Sequence, residues 1–153
     1  MDIDALDHER YMERALELAR EAGDRGDDPF GSVLVRDGEI VMTEANAVNS
    51  ADDVRRHPEL TLAQRAASEF TREQCRETVM YTSTEPCAMC SGGIYIAKLG
   101  GVVYSVSAER AGEVADTDLV VPSTDIFERG RAEIPVVGPV LPEAGERIHA
   151  ERW

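Results

Sequence analysis

Apolar positions along the chain fall into helical and strand-like blocks that alternate. In residues 7–22, Tyr11, Ala15, Leu18 and Ala22 share one face and Met12, Leu16 and Ala19 flank it, which predicts a helix that Gly23 can end. Residues 24–29 are a polar loop. Residues 30–36 and 39–44 are β-rich runs joined by Asp37-Gly38, a strong hairpin signal. Residues 45–56 read as a polar loop with Asn46, Asn49, Ser50 and an Asp pair. Over 58–70 the helical period returns, with Leu62, Ala66 and Phe70 stacked four apart and Pro58 suited to the first turn. A short strand at 79–82, a turn at 83–86, a helix at 87–98 stopped by Gly100-Gly101, and a buried-type strand at 102–106 follow. Residues 107–133 have no clear period beyond a short helix near 124–129, with loop signals at Pro122. A strand at 134–137 and a helix at 142–153 complete the chain.

The order α-β-β-α-β-α-β-(x)-β-α predicts an α/β fold. Its form is a three-layer α-β-α arrangement, with a mixed five-stranded sheet covered by helices on both faces. The 153 residues suffice for one domain, 1–153, that hides roughly 70% of its unfolded surface. Repeats, linkers and low-complexity stretches are absent from the sequence.

Composition adds a strong charge bias. Sixteen basic residues face thirty acidic ones, a net charge of −14, and Lys98 is the only Lys. This excludes a uniformly basic nucleic-acid footprint and weighs against an anionic membrane, while a local basic patch stays open. The acids are spread along the chain with no acidic tail. That favours a solvated, halophilic surface over an acidic partner-binding one, because screening over about 3 Å at 1 M salt relieves self-repulsion. Three Cys are too few for a disulfide scaffold. The acidic N-terminal stretch lacks the features of a signal peptide, and no run approaches the ~18 apolar residues of a membrane span. The chain reads as cytoplasmic, where paired Cys point to metal or redox chemistry.

The candidate chemistry lies in His57-Pro58-Glu59 and Pro86-Cys87-Ala88-Met89-Cys90. His57, Cys87 and Cys90 supply one nitrogen and two sulfurs, a zinc ligand set with the fourth position left for water. Cys87 and Cys90 are three apart, so they share a face in a helix's first turn, where free N–H groups and the dipole favour thiolates. Glu59 borders the same space as a proton shuttle. Zinc lowers the pKa of bound water from about 15.7 to near 7, and a carboxylate beside it can take and return the proton.

H-x-E followed by P-C-x-x-C resembles the signature of the zinc-dependent cytidine/nucleobase deaminases. The resemblance covers most of the chain, through Pro29-Phe30-Gly31, the Asn46 loop, TSTEPCAMCSGGIYIAK and the strand at 102–104. It is nearest to the small guanine deaminases, cytosine deaminases and tRNA adenosine deaminases, and residues 93–98 are most similar to the guanine deaminase form. Pro58 stands where Ala is usual.

The resemblance implies a cytidine deaminase-like fold. It implies Zn2+ on His57, Cys87 and Cys90, and Glu59 as the catalytic acid/base. Substrate contacts are implied at Asn46, Phe30 and Glu85, with Phe127 or Trp153 as candidates to close the pocket. Asn46 as a turn cap, Phe127 as packing and Trp153 as a core or interface anchor are the competing readings. Guanine deaminases carry a base-contacting Asp after the fourth strand; Arg110 stands there, with Glu109 beside it. The implied reaction is hydrolytic deamination of a free nucleobase, guanine first and then cytosine or a related amino-heterocycle. A tRNA-specific adenosine deaminase and a non-catalytic zinc-stabilised domain are the alternatives. Net −14 disfavours nucleic acid as a partner. The family also implies a homodimer, with Gly92-Gly93-Ile94-Tyr95 as a candidate interface. Cys75, His8 and His149 read as bystanders, the two His on polar faces.

Overall fold

Five strands, β1 (Gly31–Arg36), β2 (Glu39–Ala45), β3 (Val79–Thr84), β4 (Gly101–Val106) and β5 (Val136–Val137), form one sheet in the order β2-β1-β3-β4-β5. β1 runs antiparallel to β2 and β3, whereas β3, β4 and β5 are parallel. The computed structural model describes residues 1–115 and 117–153.

Alternation along the central strands divides the interior in two. Val33, Val35, Val79, Tyr81 and Val103 join Tyr11, Met12, Ala15, Leu16 and Ala19 of α1 (His8–Asp24) and Ile148 of α8 (Pro142–Arg152). Their neighbours Leu34, Met80 and Val102 join Leu62, Ala63 and Ala66 of α3 (Pro58–Glu69) and Ile94 of α5 (Ala88–Ala97). Each large aliphatic side chain buried in this way contributes roughly 1.5–3 kcal/mol. The predicted three-layer α/β architecture, with its mixed five-stranded sheet, is the observed one.

The hairpin turn is also as predicted. Asp37 and Gly38 both adopt positive φ, 53° and 75°, as a two-residue type I′ turn requires. Other details differ. β3 runs two residues further, to Thr84, and β5 begins at Val136 because Ile134 turns into the core. The loop at 45–56 contains a short helix, α2 (Val48–Ala51). The stretch before β3 contains α4 (Arg72–Arg76), held by a reciprocal cap in which Thr71 and Gln74 each bond the other's backbone N–H. The 107–133 region contains α6 (Ala108–Val114), capped by Ser107 and not foreseen, and α7 (Ser123–Phe127), which meets the expectation of a short helix near 124–129. The predicted dimer quartet is also divided. Ile94 is fully buried and Gly93 packs on Leu60, so the outer face of α5 consists of Met89, the open side of Gly92, and Ile96.

Candidate metal centre and active site

Two helix starts meet at the C-terminal end of β3. His57 precedes α3 in extended backbone, the conformation imposed on a residue before proline, and Pro58 occupies the first helical turn. Cys87 is the N-cap of α5, and Cys90 lies in its first turn. The Cys87 and Cys90 Sγ atoms are 3.6 Å apart, and His57 Nδ1 is 3.6 Å from each. Tetrahedral zinc, with Zn–S near 2.3 Å and Zn–N near 2.0–2.1 Å, needs ligand edges of about 3.5–3.8 Å. The triangle fits zinc, and the chemistry of its donors matches.

These groups share protons unequally. The Cys90 thiol and His57 both favour the Cys87 thiolate and, against burial, bring Cys87 down to about 4. Cys90 is pushed up by Cys87 and by burial, while the Cys87 thiolate raises His57. Glu59 is 5% exposed, and burial, then the Cys87 thiolate, raise its pKa to about 7 against His57 and Ser32. Ser32 Oγ lies 3.5 Å from Glu59 Oε1 and donates to Thr82 Oγ1 at 2.8 Å.

His57, Glu59 and Cys87 form one wall of a cavity of about 270 Å³. Asn46, Phe30, Glu85, Thr84, Asp28 and Trp153 line it too, and Ala108, Ala111, Thr117, Leu119 and Val121 cover it. A groove of about 800 Å³ at the far end of α5 contains none of the zinc ligands, so chemistry rather than size locates the site.

The expected substrate residues are placed unequally. Asn46 is buried; its Oδ1 accepts from the Val48 N–H at 3.0 Å, which leaves its amide NH2 for the cavity. Phe30 and Trp153 line the cavity. Glu85 also lines it, but its oxygens accept from the Ala108 N–H at 2.8 Å and from the Ser123 N–H and hydroxyl at 2.8 and 2.5 Å. It clamps the 107–123 segment instead of offering a free oxygen to a ligand. Phe127 is a correction: it is 4% exposed within the core around α3 and α5 and does not line the cavity. Arg110 also points away, pairing with Glu113 and Glu146 on the surface.

Sequence reasoning passed over Ser32, Thr84, Thr117 and His149. A Ser inside an otherwise apolar strand was a signal for Ser32. Thr117 lies in an aperiodic stretch, and its buried hydroxyl, at the cavity wall, has no partner among the described residues. His149, read as a surface bystander, is 1% exposed, because Thr84 and Trp153 satisfy its two ring nitrogens.

Residues 6–106 match the family described as the cytidine and deoxycytidylate deaminase zinc-binding region. The chain belongs to this deaminase family. It is 36% identical over 114 residues to guanine deaminase of Bacillus subtilis (strain 168), covering 74% of this chain and 73% of that one. It is 32% identical over 151 residues to a probable cytosine deaminase of Schizosaccharomyces pombe (strain 972 / ATCC 24843), covering 94% and 90%. A solved structure from a study of A-to-I editing by tRNA:A34 deaminases superposes with TM-score 0.73 at 26% identity, covering 91% and 98%. The enzyme is therefore a zinc-binding deaminase, a hydrolase, with relatives that act on different substrates. Among the described residues, no helix is long and apolar enough to cross a membrane.

Proposed function

We propose that this deaminase removes the exocyclic amino group of a free nucleobase, guanine first and cytosine or a related amino-heterocycle next. The observation that carries this reading is the cavity. At about 270 Å³ it lies below the ~300–1,000 Å³ typical of drug-sized ligands, enough for one ring system. Asn46 lines it with Oδ1 already engaged by the Val48 N–H, and its remaining amide donor would match a ring carbonyl, which guanine and cytosine have and adenine lacks. Phe30 and Trp153 provide flat apolar walls.

His57, Cys87 and Cys90 would hold zinc, which would supply Lewis acidity able to lower the pKa of a water from about 15.7 to near 7. Glu59 does the proton work. Its carboxylate takes a proton from the attacking water and delivers it to the ring nitrogen beside the amino-bearing carbon. As the C–N bond breaks, Glu59 passes the second water proton to the leaving nitrogen, so ammonia departs and a ring carbonyl remains. Ser32 holds the carboxylate's approach from the sheet side. Glu59→Gln is expected to keep one zinc per chain and lose about 10²–10⁴ in ammonia release. Near-normal turnover in that variant would refute the mechanism.

The likeness to a tRNA:A34 deaminase structure keeps tRNA adenosine as the second reading. Charge weighs against it: tRNA must be held by basic groups, and Arg152 and Arg110 are already paired with Asp28 and Glu146. Ammonia release from guanine, cytosine, adenine, isocytosine and triazines, with a tRNA inosine assay alongside, separates the two. Inosine formation without release from any free base would overturn the free-base reading. A homodimer and a surface adapted to high salt complete the proposal.

A further inference from the structure

One buried side chain joins α8 to the cavity. Trp153 Nε1 donates to His149 Nδ1 at 3.2 Å. A ring nitrogen that accepts carries no proton, so the hydrogen of the neutral imidazole is on Nε2, which donates to Thr84 Oγ1 at 2.8 Å. Burial keeps the ring neutral by lowering its pKa, against the pull of Glu146. The ring also packs on Phe30, with centroids 5.5 Å apart. Thr84, Phe30 and Trp153 all line the cavity, while His149 stands behind them and does not.

We propose that His149 is a positioning residue that holds Trp153 at the cavity mouth and Thr84 at its wall, and so sets how tightly the enzyme holds its base. Trp153 is the C-cap of α8, a place where helices fray, and it is 42% exposed. A large ring in such a position needs a tether to present one face to a ligand. The imidazole provides it with directional bonds on both sides, linking the end of α8 to the end of β3. Because His149 touches neither the base nor the zinc ligands, its removal should weaken binding more than chemistry. The affinity part of this proposal rests on the free-base reading; the tether does not.

Trp153 is the only Trp in the chain, so its fluorescence reports on itself alone. The test compares zinc-loaded wild type, H149F, H149Q and W153F. Phe keeps a flat ring but removes both hydrogen bonds; Gln offers one acceptor and one donor. In H149F, Trp153 emission is expected to shift to the red and to be quenched more by acrylamide, with zinc content unchanged. On the free base that wild type deaminates fastest, KM is expected to rise about five- to tenfold, the scale of one lost hydrogen bond, with kcat nearly constant. H149Q should recover part of both effects. W153F leaves His149 in place and should raise KM by a similar factor, so the affinity claim survives poor folding of H149F. Unchanged quenching in both His149 variants would overturn the tether. A fall in kcat at constant KM, or H149Q no better than H149F, would overturn the positioning role. Absence of turnover on every free base would overturn the proposed substrate and the affinity claim with it, while the quenching data would still decide the tether.

Discussion

Asp27 is fully buried in a loop composed mainly of polar residues. Arg25 Nε donates to Oδ2 at 2.6 Å, and the Ser50 N–H and hydroxyl each donate at 2.8 Å. Arg25 also reaches the Asn46 carbonyl, so this knot fixes the segment that aims Asn46 into the cavity. Burial alone would raise the Asp27 pKa; Arg25 and Ser50 outweigh it and hold it at about 2. An unfolded Asp titrates near pH 3.9. The carboxylate's contribution to stability is therefore complete above about pH 4 and lost as pH falls toward 2. Asp27→Asn is expected to cost about 1–3 kcal/mol at pH 7 and to flatten the acid limb of thermal midpoint against pH. An unchanged limb would show that other carboxylates set it. Sequence reading reached His57, Glu59, Cys87 and Cys90 because metal chemistry dictates residue types and spacing. It missed Asp27 and His149, because a polar side chain is buried only when its partners arrive from elsewhere in the fold.

Elements were legible in proportion to their length. α1, α3, α5 and the central strands carry enough periods to be seen, whereas α2, α4 and α6 span four to seven residues and depend on caps or contacts. One of them, α6, roofs the cavity together with the loop residues Thr117, Leu119 and Val121 and the Glu85 clamp, so the roof was the least readable part of the site. α8 was predicted, but its docking was not. A Cβ added at Gly145 would approach Ser105 Oγ to 2.5 Å and Val106 Cγ2 to 2.6 Å, so the helix lies directly on β4. Propensity alone says that Gly145→Ala should stabilise a helix by about 1 kcal/mol. The close approach says that it should destabilise by about 1–3 kcal/mol, through displacement of α8. The larger effect is expected to win. The thermal midpoint should fall and amide exchange in α8 should accelerate, with zinc retained. A higher midpoint would mean that α8 sits more loosely than its contacts indicate.

At the scale of the whole molecule, two surface features bear on assembly and solvent. Met89 and Ile96, 42% and 80% exposed, flank the open side of Gly92 on α5. A second copy would cover this apolar strip. Ile96→Glu is then expected to shift the sedimentation coefficient from dimer to monomer, and a wild type already monomeric would exclude that interface. Fourteen net negative charges on 7820 Å² leave one per about 560 Å², a mean spacing of about 24 Å. Exposed pairs such as Arg14–Glu17 and Arg55–Asp53 stabilise only weakly and leave the net charge unchanged. The Debye length is about 30 Å at 0.01 M, 10 Å at 0.1 M and 3 Å at 1 M. Evenly spread charges are thus mostly screened by about 0.1 M, and only close groups such as Asp52-Asp53 gain from more salt. The thermal midpoint is expected to climb steeply from 0.01 to about 0.2 M KCl and more gently into the molar range. A midpoint independent of KCl from low to multimolar concentration would sink the high-salt reading. It would also restore full force to the charge argument against tRNA, because repulsion between an acidic surface and phosphate persists wherever salt does not screen it.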